Sequence, residues 1–269
     1  MPGQGFLSSV IAIYRRELQS YFGSPLAYLV AAIFWLLAGF FFTSLLFNLL
    51  QNASLADQQA QASGAAGPSY DMALILVQQF VSVLGTVSLF ILPLLSMGLY
   101  AEERRRGTLE LLATSPISSF AVAFGKWLAA LTFYIGLLLP LLVYEGIALN
   151  GAEPAANPVL VLLAHLGLVL LAAVILSLGL CLSALTESTL LAAVATFGVV
   201  LFLQLADAAA ESLGGPVGAI LRGVSILTPF NDLTLGIVTT SGLVWFASLI
   251  VLGWFLTVQV VDGLRFQRG

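Results

Sequence analysis

Residues 72–127 read MALILVQQFVSVLGTVSLFILPLLSMGLYAEERRRGTLELLATSPISSFAVAFGKW, two apolar runs parted by a charged island. The island, Tyr100–Pro116, holds Glu102, Glu103, Arg104, Arg105, Arg106 and Glu110. About 20 apolar residues in a helix cross the ~30 Å hydrocarbon core of a bilayer, at about 1.5 Å per residue. The run before the island exceeds that length, and the run after it continues to Leu149. The stretch therefore reads as two membrane spans joined by a short charged loop.

The rest of the chain fits that reading. Of its 269 residues 60% are hydrophobic and 8% charged, with a mean hydropathy of +1.06. Soluble domains carry about a quarter charged residues, so this chain cannot solvate a globular surface and is an integral membrane protein. The sequence predicts an all-α fold with six spans: 26–50, 72–100, 120–149, 158–185, 190–205 and 243–261. Period-2 alternation over ~10-residue segments, the mark of a membrane β-barrel, is missing. Pro93 and Pro140 should kink the second and third spans or mark irregular turns. The whole chain, 1–269, reads as a single transmembrane domain. Nothing near Met1 resembles a cleavable leader, and the first span would itself direct insertion.

Orientation follows from the cations. With both termini inside, eight of the nine Lys and Arg residues lie on or near the cytoplasmic side, Arg222 being the exception. The loops 51–71 and 150–157 have no Lys or Arg and read as external, the first of them polar, Gly-containing and flexible. A seventh span within 206–242 would place Arg265 and Arg268 outside. That segment instead reads as one or two short helices dipping part-way into the membrane before the last span. Ahead of the first span, 6–25 spaces Leu7, Val10, Ile11, Tyr14, Leu18, Tyr21 and Phe22 three and four apart. This predicts an amphipathic helix along the inner membrane surface with its apolar side in lipid, ended by Gly23 and Pro25.

Within the charged island, Glu102 and Glu103 can pair with Arg106 at helical spacing, for about 0.3–0.5 kcal/mol each. Gly107 ends the helix and Thr108 can cap the next one, with Leu109, Leu111 and Leu112 apolar, Glu110 polar, and Thr114, Ser115 and Pro116 closing it. Ser118 or Ser119 can cap the third span. A helix of under two turns, too apolar for water, suits a partner surface. A loop that merely keeps arginines inside explains the charges but not the ordered stop, cap and short helix. Spacing alone leaves both readings open.

Ionisable or polar groups inside spans are candidates for a path through the membrane. They are Gln78, Gln79, Glu145, His165 and Gln204. Glu145 is expected to reach interfacial water, and His165, with no carboxylate nearby in sequence, to make a helix–helix hydrogen bond. Cys181 reads as a packing residue; a single cysteine permits no intramolecular disulfide and no cysteine metal site.

The segment EERRRGTLELLATSPI, residues 102–117, with Gly125-Lys126 beyond it, closely resembles the first cytoplasmic loop of ABC-2 type exporter permeases. YRRELQSYFGSPLAYLVAAIFWLLAGFFF (14–42) looks like the permeases associated with gliding motility, and LTPFNDLTLGIVT (227–239) resembles the broken outer segment before the family's last span. The resemblance implies a permease subunit in a bacterial inner membrane, with both termini cytoplasmic. In that family 102–116 would be a coupling helix seated on a separate ATPase subunit, and Thr186, Glu187 and Ser188 a second, smaller contact. A second permease subunit, identical or sister, would complete the path; no nucleic-acid partner is expected. ATP and magnesium would belong to the ATPase partner. In this chain the only Gly-Lys pair, Gly125-Lys126, has Phe120 where a phosphate-binding loop needs its first glycine. The chain is thus expected to bind no cofactor or metal and to catalyse nothing itself. Two other classes remain. An ATP-independent carrier would call for paired charges near the midplane or an inverted repeat, and the sequence displays neither. An intramembrane protease would need a serine on a Gly-rich span near His165, paired intramembrane aspartates or H-E-x-x-H; Ser63 lies in the polar outer loop, Ser177 and Ser183 share the span of His165, and neither a suitable aspartate pair nor H-E-x-x-H occurs.

Overall fold

The computed structural model describes residues 2–63, 71–109, 117–151 and 157–266. All secondary structure among them is helical. In chain order the helices are α1 (Pro2–Gly23), α2 (Pro25–Ser63), α3 (Met72–Ser96), α4 (Gly98–Arg105), α5 (Ser119–Leu149), α6 (Pro158–Leu185), α7 (Thr189–Leu213), α8 (Gly215–Val224), α9 (Leu227–Thr234) and α10 (Thr240–Phe266). Six helices are long and apolar enough to cross a membrane: α2, α3 continued through α4, α5, α6, α7 and α10.

Helix starts follow side-chain chemistry. The first turn of a helix leaves four N–H groups without partners, and a capping oxygen satisfies one of them. Asp71 accepts from Leu74 N, Ser118 from Ala121 N, Asn157 from Val159 N and Ser188 from Leu191 N. Ser118 thus takes the capping role that the sequence left between it and Ser119.

α6 is the central helix, packed by α3, α5, α7, α9 and α10. Small residues let these backbones approach, as membrane helices require when lipid is as apolar as their side chains. A Cβ on Gly179 of α6 would collide with Ser96 Oγ of α3, and one on Gly253 of α10 would meet Ser177 at 2.7 Å. Hydrogen bonds then join the layers: Tyr134 of α5 to Ser88 of α3 at 2.6 Å, Trp127 Nε1 to Ala173 O at 2.9 Å, and Trp35 Nε1 to Leu137 O at 2.9 Å. The broken segment forms two short helices, α8 and α9, as the sequence allowed. Phe230 of α9 wedges its ring between α3 and α6, where Gly85 and Gly167 leave room.

Three expectations change. Residues 51–63, expected in a flexible loop, continue α2 as helix. They contain Ala, Gln and Leu, good helix formers, with no Gly or Pro before Gly64. The fifth span runs on to Leu213 rather than 205, where Gly214 at φ 58° ends it. Helix α1 begins at Pro2 and its apolar side is divided: Val10, Leu18 and Tyr21 pack on protein, while Leu7, Ile11 and Phe22 stay exposed. The reason is Gly125 of α5, bare enough that Ile13 lies where a Cβ would approach it to 2.9 Å.

Candidate functional site

The charged island stands on a jointed helix. Pro93 lies near the end of α3, and the helix is interrupted at Met97 before α4 resumes. Proline removes one backbone donor and disturbs the turn before it. The gap in the ladder is filled from α6. Ser183 Oγ accepts from Tyr100 N and Ala101 N, both at 3.0 Å, and donates to Met97 O at 2.9 Å. One hydroxyl therefore splices the joint, leaving α4 tied to α6 as well as to α3.

At its far end α4 stops as the sequence predicts. Gly107 takes φ +69°, its N–H reaching Arg104 O at 3.1 Å, and Thr108 N reaches Glu103 O at 3.0 Å. This is the paired closure that a left-handed glycine permits. Residues 110–116, including Glu110, Leu111, Leu112, Thr114, Ser115 and Pro116, lie outside the described residues. Leu109 precedes them, half-buried, packed against the core cluster.

The two glutamates part company. Glu102 keeps the expected exposed pair with Arg106, at 3.6 Å. Glu103 does not join Arg106; it turns inward, where the buried Lys126 and the exposed Arg16 meet it. Its Oε1 accepts from Arg16 Nη2 at 2.5 Å and lies 3.0 Å from Lys126 Nζ. Glu17 Oε1 accepts from the same two groups, at 2.7 and 3.0 Å. Two cations and two carboxylates thus alternate in a closed knot across α1, α4 and α5. Lys126, only 2% exposed at its side chain, spends its third face on the Tyr100 ring, 5.2 Å from the centroid. Burial works to raise the Glu17 carboxyl, but the pull of Lys126 and the hydrogen bonds from Arg16 and Lys126 outweigh it and hold it below the usual range. Burial, with the Glu17 charge nearby, also raises Tyr21, so its phenol stays protonated and donates to Leu95 O at 2.8 Å. A cavity of about 840 Å³ opens beside the knot, with Arg16, Glu102 and Arg106 on its polar side and Leu26, Val30 and Leu94 on its apolar side.

The other face of α4 meets the second loop. Arg104 donates to Ala184 O at 2.8 Å and lies 3.7 Å from Glu187. Thr186 and Ser188, flanking Glu187, close α6 and open α7. Among the described residues, the two contacts assigned separately are therefore joined through Arg104 into one surface, with Arg105, Arg106 and Thr108 exposed on it. Sequence reasoning missed the roles of Arg16, Glu17, Lys126 and Ser183. Lys126 did carry a signal, since an ionisable residue inside an apolar run needs a partner.

The candidate path residues divide. Gln78 and Gln204 are half-buried and Gln79 exposed, and no hydrogen bond joins any of them to the others. Glu145, expected to reach interfacial water, is instead 1% exposed. It faces His165 of α6 at 3.5 Å, so a carboxylate remote in sequence is the histidine's neighbour. A pair of ionisable groups between two spans, which the sequence did not reveal, is thus present toward the end of α5 and the start of α6. Among the described residues no cluster of three or more His, Cys, Asp or Glu could hold a metal ion.

The model of the ABC-2 type transporter family matches residues 8–207, which takes in α1 to most of α7. The chain belongs to that family. No match is found among the curated proteins. Membership makes it a multi-pass membrane permease component of an ABC transporter, and it implies association with an ABC ATPase and a bilayer. Permeases of this family are not normally catalytic themselves.

Proposed function

We propose that this chain is the permease subunit of an ABC exporter that takes its drive from a separate ATPase seated on its first cytoplasmic loop. The single observation that carries the reading is the mounting of that loop. An ordinary topology signal needs arginines only. Here α4 is spliced to α6 by Ser183, knotted to α1 and α5 by Glu103, and bound to the second loop by Arg104. A force applied to 102–116 would then move α3, α5 and α6 together instead of flexing a free loop. Glu102, Arg105, Arg106, Gly107, Thr108 and the following 109–116 would meet the ATPase, with Thr186, Glu187 and Ser188 as the adjoining contact. Closure of the ATPase on ATP and magnesium would tilt these spans. A translocation path between two permease subunits, identical or sister, would open outward, and hydrolysis would reset it.

The experiment is a crosslink. Thr108→Cys and Thr114→Cys, each in a Cys181→Ser background, are expected to crosslink to a co-expressed ATPase subunit. Gly107→Pro is expected to uncouple hydrolysis from transport while insertion persists. Proline can adopt neither φ +69° nor the N–H bond that Gly107 makes to Arg104 O. No crosslink at either position, with transport continuing in the absence of any ATPase, would overturn the reading.

A further inference from the structure

Three acceptor atoms meet where the outer ends of α5 and α6 pack together. His165 Nδ1 lies 2.9 Å from Val161 O. A carbonyl only accepts, so Nδ1 carries the hydrogen, and in the neutral ring Nε2 presents a lone pair. That lone pair faces Glu145 Oε1 at 3.5 Å. Glu145 is 1% and His165 5% exposed, and neither glutamate oxygen nor Nε2 has a hydrogen-bond partner.

Buried polar atoms are nearly always partnered, so a set of orphan acceptors implies a missing donor. A bare carboxylate here would cost several kcal/mol of lost hydration. An imidazolium–carboxylate pair would place two charges in hydrocarbon, where a neutral acid beside a neutral imidazole places none. No heavy atom fits on a 3.5 Å line between oxygen and nitrogen. Other ionisable groups do not supply the balance. Toward this end of the packed elements these are Tyr144 beside the site on α5, Asp57 on α2, Asp71 heading α3, Asp207 and Glu211 on α7, and Asp232 on α9; Lys126 on α5, the charges of α4 and Asp262 on α10 lie toward the opposite end. None forms an ion pair or hydrogen bond with either residue; Asp71 is taken by Leu74 N and Asp207 by Thr228.

We propose that Glu145 and His165 form a proton-binding site, in which the Glu145 carboxyl holds one proton and donates a hydrogen bond through it to His165 Nε2, clamping α5 to α6. Binding joins one H⁺ to a glutamate oxygen as O–H; release returns it to water and leaves the carboxylate, with no electrons moved. Glu145 is one helical turn from Leu149, about 6 Å from the end of α5. Water reaching the site would let it ionise, so parting of these helix ends and proton release would be one event. The inference does not rest on the coupling reading, and its test needs no ATPase.

His165 is the only histidine in the chain, so ¹⁵N-histidine labelling reports on this residue alone. With the full chain in lipid nanodiscs at neutral pH, we expect a neutral ring protonated at Nδ1. We also expect an infrared band of a protonated carboxyl that disappears in Glu145→Gln. An imidazolium at His165, or no carboxyl band lost in the variant, overturns the site. The clamp is read separately, by spin labels at Val143→Cys and Leu162→Cys in Cys181→Ser. Glu145→Gln, which keeps a donor to Nε2, should preserve the distance distribution, and Glu145→Ala should broaden it. Broadening in both variants, or in neither, overturns the clamp.

Discussion

Two places in this molecule bury ionisable side chains, and they balance them differently. Across α1, α4 and α5, Arg16, Glu17, Glu103 and Lys126 alternate in sign, and each cation meets two carboxylates. Between α5 and α6, Glu145 and His165 have one acid, one base and no other charge in contact. Buried charge must be neutralised either by opposite charge or by a proton. The knot uses the first means and is fixed in composition, so it suits a rigid mount. The pair uses the second and can change state, so it suits a moving part.

The largest effect that distinguishes the two should come from Lys126→Met. It removes the buried cation shared by Glu17 and Glu103 and leaves their half-buried carboxylates with the exposed Arg16 alone. Losing one partner of a buried pair costs about 3–5 kcal/mol. The variant should therefore show a sharply lowered melting temperature in detergent, whereas Glu145→Gln, which swaps a neutral acid for a neutral amide, should stay within about 1 kcal/mol of the parent. Equal losses in the two would erase the comparison. Acid probes the same knot. Glu17 is held below the usual carboxylate range, so its contribution is complete above about pH 4.3, the ordinary glutamate value. It should decline as pH falls below that value and vanish once Glu17 itself protonates. The acid limb of a melting-temperature profile should flatten in Glu17→Gln; an unchanged limb would place the acid sensitivity elsewhere.

An intermediate effect is expected at Ser183→Ala. It strips the shared partner from Tyr100 N, Ala101 N and Met97 O. Leaving buried polar groups unmet costs about 1–3 kcal/mol, and the loss should fall on the joint rather than on the whole fold. Amide exchange at Tyr100 and Ala101 should rise well above that of neighbouring α3, and Ser183→Thr, which keeps a hydroxyl, should recover part of the protection. Uniform protection across α3 and α4 in Ser183→Ala would show that the splice holds nothing.

How much of this was legible beforehand depends on the distance over which each signal acts. The number of spans, the Gly107 stop and a serine cap at 118 or 119 are local signals, written in runs and neighbours, and legible directly, whereas the far ends of the first and fifth spans are not. The fold class and the place of the broken segment followed from hydropathy and the Gly and Pro residues around α8 and α9. Partners across helices were not legible. Glu103 looked equivalent to Glu102, since both sit at helical spacing from Arg106; only the packing of α1 on Gly125 brings Arg16 and Lys126 to one of them. His165 likewise showed no carboxylate near it in sequence, because Glu145 comes from another helix. The helical extension 51–63 was misread for a different reason, polarity having been taken for looseness where Ala and Gln favour helix.

The smallest expected effect sharpens the comparison from the solvent side. Glu102 and Arg106 form an i,i+4 pair at 3.6 Å with both side chains largely in water. Such pairs contribute about 0.3–0.5 kcal/mol and are screened by salt. Arg106→Ala should therefore hardly move the melting temperature, and that small shift should fade as salt is raised. Its neighbour Glu103 differs by one position and points into the knot, so Glu103→Ala should destabilise strongly and keep most of its effect in salt. If the coupling reading holds, Arg106→Ala should also weaken capture of the ATPase while leaving the chain folded. A shift at Arg106 as large as at Glu103 would mean that the island is held together by surface charge, and that the inward turn of Glu103 does not set the rigidity of α4.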